Sequence, residues 1–496
     1  MIAKLQAVGR AAFATPVRAA ATLALYLAAH AAVRLVLWPD ALGYDDAEQV
    51  LSAQSWAWSY RYTQPPLVTW LLVALRDVAG LAPGLVAITV LRTAMLAALH
   101  VFTYLAARRV VDGPLPAALA SASLAGTYTL GYLAHGDLPH STLLAVAVAA
   151  SLWLWLRLIE APTPARTLAF GVVCGLGLLA KWNFVVLALG YLGVGLAASA
   201  TRRLVLSWRT PVVVALAGAI AAPSAWWVAT HHPSLLALGE GVLVVPADAA
   251  APGPLAGLGA LATSALAFPQ PWLVLALLVL WPARRRLSPA GGRLAALIVG
   301  VLALHALLVP VAGAVNFPER WMIVPLLPLP LLGLAAVDPG HRAVPALGGV
   351  LVALAVAVVL VRATIGLTDA AYCGTCRTRL PAAAFAEAIR DTGFVAGTVV
   401  APDMHLAGNL KRWLPRARVV VPRLPAGAWP APGDGQCVVV WRGAGDGEGE
   451  RAAARRAFGA TLADAPTRRV TAPLLGSRER RATMSFRLGA GEGSCR

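Results

Sequence analysis

The sequence predicts a mainly α, polytopic membrane protein with a small α/β domain at its C-terminal end. Three observations predict it. Of 496 residues, 59% are hydrophobic and only 13% charged, whereas an ordinary soluble domain has about a quarter of its residues charged. Apolar runs of roughly 20 residues, the length that crosses a bilayer core, fill most of the first 363 positions, and the mean hydropathy is +0.71. From 364 onward the chain turns polar and rich in Gly and Pro.

Eleven spans are expected, near 20–37, 85–107, 115–133, 139–158, 167–180, 183–200, 211–230, 255–281, 294–312, 321–337 and 344–362, with the short fifth and sixth readable as one bent element. The positive-inside rule orients them. With the N-terminus in the cytoplasm, 15 of the 22 basic residues before position 364 fall on cytoplasmic segments, against three of 12 acids (Asp112, Glu160 and Asp338). The basic start and the length of the first span fit a retained signal anchor better than a cleaved signal. An odd number of spans puts the tail outside. The expected organisation is a transmembrane module over 1–363, with a first outer loop at about 38–84 carrying an amphipathic helix to about Gly80, and an external α/β domain over 364–496. In that domain Thr398–Val400, Val419–Val421 and Cys437–Trp441 read as strands, Pro381–Arg390 and Met404–Trp413 as helices, and 445–450 as a loop.

The net charge is +18, with only three lysines (Lys4, Lys181 and Lys411) among the 41 basic residues. Basic loops between spans set topology and meet anionic lipid, and no RNA-binding or helix-turn-helix pattern points to nucleic acid. Cys174 lies in a span. The other four cysteines, Cys373, Cys376, Cys437 and Cys495, share the external tail, where an even count suggests disulfides. A single CxxC does not make a zinc site.

The chemistry-bearing residues gather on the outer side. In the first loop, Asp45 and Glu48 are three apart and share a helix face. Asp45 or Asp46 could cap that helix, or a carboxylate there could act as a general base at the bilayer surface. Asp137, just before Pro139, could be a helix cap or a second functional acid. His135 and His140 beside it, and His231 and His232 in a later loop with Glu240, are weak metal candidates, and a divalent metal is the one cofactor that could be needed. Lys181 lies between two apolar runs at the outer end of a span. It could snorkel to the interface, or hold a lipid phosphate. Arg92 inside the second span needs a partner or a wet cavity, and Arg320 could be an interfacial anchor. Outward carboxylates with one lysine and two arginines would suit a phosphate-bearing lipid whose polar head lies outside.

The segment Tyr44-Asp-Asp-Ala-Glu-Gln, with Gln54, Trp58-Ser-Tyr and Gln64-Pro-Pro-Leu-Val-Thr-Trp-Leu, resembles the first outer loop of the bacterial family 39 glycosyltransferases. These are relatives of the aminoarabinose lipid A transferase and the protein O-mannosyltransferases, with the GT-C membrane fold. Arg92 in a Leu-Arg pair, Gly136-Asp137-Leu-Pro-His, Gly177-Leu-Leu-Ala-Lys181-Trp-Asn-Phe and Glu319-Arg320-Trp follow in the family's order. The likeness covers roughly 20–340 and leaves out the tail. It implies an inverting transferase in the bacterial inner membrane. That enzyme would move a sugar from a polyprenyl-phosphate carrier to lipid A, another glycan, a glycolipid or a protein at the outer, periplasmic face. It places the base at Asp45, with Asp46 standing where the family has Glu, which leaves the division among Asp45, Asp46 and Glu48 open. Asp137 matches a second acid on the acceptor side, and Lys181 a lysine near the carrier phosphate. Arg92, Arg320, Gln64 and Tyr62 are further substrate-binding candidates. A transporter or flippase for a phosphate-bearing lipid is the rival reading; it would typically show internal repeats, and none is found.

Overall fold

The computed structural model describes residues 1–231, 253–422, 424, 428–460, 462 and 465–496. Among the described residues six helices are long and apolar enough to cross a membrane: Pro16–Leu37, Leu85–Ala107, Pro139–Glu160, Arg209–His231, Pro289–Ala312 and Ala343–Ala371. Shorter apolar helices Pro164–Ala180, Phe184–Ala197, Pro254–Ala267 and Trp272–Ala283 pack among them. The expected fifth and sixth spans are thus two helices, separated by a turn at 181–183.

Three expected spans are broken where the sequence reading took them as continuous. The region 255–281 is split by Pro269 and Pro271, and 321–337 becomes Glu319–Met322, Ile323–Leu326 and Leu329–Ala335 around Pro325 and Pro328. Proline removes a helix donor and clashes with the preceding turn. The region 115–133 is helical only over Pro114–Ala122 and then runs through short 3-10 and π turns to His135. Its freed backbone is satisfied within the protein, as burial in a membrane module requires. Tyr128 N donates to the Gln270 carbonyl (2.9 Å), and the Tyr26 hydroxyl donates to the Gly131 carbonyl (2.9 Å). An additional N-terminal helix, Ile2–Phe13, lies against Ala343–Thr368. There a Cβ on Gly9 would sit 1.9 Å from the Pro345 carbonyl oxygen, so only glycine permits the approach.

The first loop folds into Tyr44–Ser52 and the amphipathic helix Leu67–Ala79, which Gly80 terminates in a left-handed conformation (φ 66°). Gly43 occupies the N-cap, so neither Asp45 nor Asp46 caps this helix. Both instead stand in its first turn, where the helix dipole favours negative charge.

Among its described residues the C-terminal domain contains five strands, β1 (Gly397–Val400), β2 (Ala417–Val420), β3 (Gln436–Arg442), β4 (Arg468–Pro473) and β5 (Arg481–Ala490), in the order β2-β1-β3-β5-β4. The first three are parallel, with Val399 opposite both Val419 and Val438, and β5 joins β3 and β4 antiparallel. Glu448–Phe458 is a helix, so the stretch read as a loop at 445–450 already enters it at Glu448. Disulfides join Cys373 to Cys376 and Cys437 to Cys495. Arg379 pairs with Asp369 and donates to the Gly366 carbonyl (2.6 Å), tying the domain's entrance to the end of the last long helix.

This domain is bolted to the first loop. Ala41 and Leu51 of the loop belong to the sheet domain's own apolar core, while Leu42, Ala47 and Val50 pack toward Leu85–Ala107. The helix Met404–Trp413 lies directly on Tyr44–Ser52, and a Cβ on Gly408 would meet the Ala47 carbonyl at 1.9 Å. Asn409, fully buried, accepts from Leu42 N (2.9 Å) and donates to the Leu42 (3.3 Å) and His405 (2.9 Å) carbonyls. Gln54 acts as an extra edge partner of β2: it donates to the Val419 carbonyl (2.8 Å) and accepts from Val419 N (3.0 Å). Arg412 donates to the Asp40 carbonyl (2.8 Å) and pairs with its carboxylate (2.5 Å).

Asn409→Ala strands the Leu42 amide and is expected to cost about 1–3 kcal/mol locally. Hydrogen exchange should therefore quicken across residues 42–50 and stay unchanged within Leu85–Ala107; equal exchange in both would show that the docking does not hold the loop.

Candidate functional site

Four chain segments meet at one end of the helical module: the first loop, the turn at 133–138, the turn at 181–183 and the segment 316–321. Backbone clamps hold them. Arg34, in the first long helix, donates to the Pro39 (3.1 Å) and Ala41 (2.7 Å) carbonyls at the entrance to the first loop. Arg362, in the last, donates to the Tyr132 (3.0 Å) and His135 (3.1 Å) carbonyls. Both are about 2% exposed. Neither was singled out from the sequence, although an arginine within an apolar span is the same signal that picked out Arg92.

The three loop acids do different things. Asp46 is fully buried and pairs with Arg92 at 2.5 Å. Glu48 pairs with Arg61 at 2.6 Å. Asp45 is half-buried and, among the described residues, has no recorded hydrogen bond or ion pair. Burial and the adjacent Asp46 carboxylate push it above the ordinary carboxylate range, against the pull of Arg320, Lys181 and Arg61. Burial also pushes Glu48 up, opposed by Arg61.

Asp137 is not a helix cap. Leu138 takes the N-cap of Pro139–Glu160, in a left-handed conformation (φ 62°) that L-residues rarely adopt, with no side-chain cap bond. Asp137 is thereby turned toward the first loop: the Cβ that Gly43 lacks would lie 3.8 Å from its carboxyl carbon. Its Oδ1 is buried without a partner. Burial, then Asp45 and Asp46, push its carboxyl up to about 8, with Arg92 opposing.

Lys181 ends the Pro164–Ala180 helix and is buried rather than snorkelling; its Nζ donates to Ser141 Oγ (2.9 Å). Burial and Arg320 lower it to about 7, while Asp45 pulls the other way. Arg320 is exposed and carries no recorded hydrogen bond or ion pair among the described residues, yet its charge reaches both Asp45 and Lys181. Asp45 thus shares the field of Lys181 and Arg320 on one side and of Asp137 on the other, while Arg92 pairs with Asp46 and also acts on Asp137. Trp182 Nε1 donates to the Tyr62 carbonyl (3.2 Å), and Gln64 Oε1 is buried without a partner.

Among the described residues the metal-candidate histidines His135, His140 and His231 each have separate partners. His135 bonds the Tyr26 hydroxyl (3.0 Å) and stacks on His30, His140 contacts Gln49 (2.9 Å), and His231 stacks on Trp227. His232 and Glu240 lie outside the described residues. Among the described residues no three His, Cys, Asp or Glu side chains are grouped to hold a metal ion.

Comparisons with known proteins bear on this geometry. Residues 63–227 match the family model described as dolichyl-phosphate-mannose-protein mannosyltransferase. Lipopolysaccharide core galacturonosyltransferase RgtA of Rhizobium johnstonii is 30% identical over 436 residues, spanning 85% of this chain and 86% of that protein. RgtB of the same organism is 27% identical, over 80% and 81%. The chain is also similar to the crystal structures of ArnT from Cupriavidus metallidurans, apo and bound to undecaprenyl phosphate. For each the TM-score is 0.60 at 12% identity, over 93% of this chain and 97% of that one. At that identity the likeness shows the fold.

The raised Asp137 carboxyl has a consequence for stability. Near neutral pH the folded chain keeps that proton, while the unfolded chain, with a carboxyl near 4, has lost it. The associated stability is therefore full below about pH 4 and is lost as pH rises toward about 8. Asp137→Asn cannot titrate, so the fall in melting temperature between about pH 5 and about pH 8 should be shallower than in the wild type; equal slopes would show that Asp137 is ionised throughout.

Proposed function

Because the chain belongs with RgtA in one family of GT-C membrane glycosyltransferases, the family 39 type, we propose that it moves a sugar from a polyprenyl-phosphate carrier to an envelope acceptor, with inversion at the anomeric carbon. The chemistry takes place at the outer face of the bacterial inner membrane, with the N-terminus cytoplasmic and the sheet domain periplasmic. The names of its Rhizobium relatives favour a lipopolysaccharide acceptor and a uronic acid sugar, and the undecaprenyl phosphate in a crystal structure of ArnT supports the carrier class.

The observation that carries the mechanism is the contrast between neighbours: Asp46 is locked onto Arg92, while Asp45 is unengaged and within the field of Lys181 and Arg320. An acceptor hydroxyl oxygen attacks the anomeric carbon as the bond from that carbon to the phosphate oxygen breaks. Asp45 takes the hydroxyl proton, and its raised affinity for protons makes it a better base than an exposed carboxylate. The bond's electron pair leaves with the phosphate, where the Lys181 ammonium and the Arg320 guanidinium meet the growing negative charge. Phosphate is already a good leaving group, so no general acid is needed. Asp137, protonated near neutral pH, donates a hydrogen bond to the acceptor without adding a second charge beside Asp45. We assign Tyr62 and Gln64, beside the Trp182 contact, to binding of the donor. A transporter reading has no observation in its favour.

Mass spectrometry of lipid-linked sugars and envelope glycolipids tests this in membranes holding the wild type, Asp45→Asn or no protein. The glycolipid product should fall about 10²–10⁴-fold in Asp45→Asn, as for the loss of a general base, while the polyprenyl-phosphate sugar accumulates. Wild-type turnover by Asp45→Asn would remove Asp45 from the reaction.

A further inference from the structure

We propose that the side-chain amide of Asn183 is a substrate contact that binds neighbouring hydroxyls of the sugar on the lipid phosphate; this rests on the transferase reading above. Asn183 opens the helix Phe184–Ala197 at its N-cap position. Asparagine is favoured there because its side chain accepts a bond from the first helical turn, a contact typically worth about 1 kcal/mol. Asn183 does not make that bond. Its side chain is instead buried, with the residue 8% exposed, and neither Oδ1 nor Nδ2 has a partner among the described residues. A buried amide left unpaired at both ends is costly, and buried polar groups are nearly always paired.

The rest of the turn is tied down. Lys181 bonds Ser141, Trp182 bonds the Tyr62 carbonyl, and Phe184 is fully buried against Gly177. Backbone bonds from the amides of Phe184, Val185 and Val186 back to residues 181–183 fix its course. Asn183 is therefore held in place by its neighbours while its own polar atoms stay unspent. It lies two residues from Lys181, whose charge couples to Asp45 and Arg320. Across the Trp182–Tyr62 contact, Gln64 Oε1 is buried and unpaired too.

The donor inventory decides what Asn183 takes. An amide offers one acceptor oxygen and two N–H donors. A phosphate oxygen only accepts, so it would pair Nδ2 and leave Oδ1 bare. Two adjacent ring hydroxyls give and take hydrogen bonds together and satisfy both ends. Lys181 suits the phosphate and Asn183 the sugar, so one turn would read both halves of the donor.

The test uses the purified full-length protein with two probes, undecaprenyl phosphate and undecaprenyl phosphate galacturonate. Asn183→Ala should bind the bare lipid phosphate as the wild type does, and the sugar-bearing lipid about tenfold more weakly. It should melt no lower than the wild type, because it removes an unpaired buried group. Asn183→Ser, which can cap the helix, should show the same split and carries the comparison if the alanine variant does not fold. Equal weakening toward both lipids, no weakening toward either, or a lowered melting temperature would overturn the assignment and leave Asn183 as framework. A wild type that binds neither lipid would instead sink the transferase reading, and this assignment with it.

Discussion

The buried ion pair between Asp46 and Arg92 is the constraint on which the site depends. Taking two charges out of water is expensive, and removing one partner leaves the other stranded at a cost of about 3–5 kcal/mol. That penalty fixes the rotation of the short Tyr44–Ser52 helix against the long Leu85–Ala107 helix. Successive residues on a helix point about 100° apart. With Asp46 turned inward to Arg92, Asp45 is turned away from it, toward Lys181 and Arg320. Two adjacent acids therefore have separate fates, one as an anchor and one left unengaged.

Other arginines extend the same logic to the backbone. Arg34 and Arg362 rise from the first and last long helices and hold the carbonyls of two different loops, and Arg412 reaches Asp40 from the sheet domain. A planar guanidinium with five donors can grip several carbonyl oxygens at once, which an ammonium cannot do with the same geometry. The preference for arginine over lysine along the chain fits these clamps. The sheet domain closes the arrangement, because Asn409, Gly408 and Gln54 make the first loop part of its surface and of its core. A loop pinned from the membrane side by Arg92 and from the other side by the domain is preorganised before substrate arrives.

Much of this was legible in the sequence, and what was not has physical reasons. Spans and loop acids show through composition and spacing, and the strands β1 to β3 through their runs of valine. The hairpin β4–β5 did not, because β4 is mostly exposed and rich in arginine and threonine, and β5 buries only a short centre around Met484 and Phe486 between polar ends. Broken helices escaped because an apolar run records hydrophobicity and not backbone hydrogen bonds; Pro325 and Pro328 were the available signal. The partners of Arg34 and Arg362 are main-chain oxygens, which leave no trace in side-chain patterns. The separate fates of Asp45 and Asp46 depend on how one helix rotates against another, which spacing alone does not set. Of the two readings open for Asp137, the cap fails because Leu138 adopts a left-handed conformation that no motif announces.

The central claim is that Asp45 and Asp46, adjacent in sequence, serve activity and architecture respectively. Measuring transfer rate and melting temperature on the same purified samples of Asp45→Asn and Asp46→Asn tests it most directly. The account predicts that Asp45→Asn loses transfer without melting lower, while Asp46→Asn melts several degrees lower because Arg92 is left buried and uncompensated. If Asp46→Asn melts like the wild type, or if Asp45→Asn is the variant that unfolds early, the division of labour drawn here is wrong.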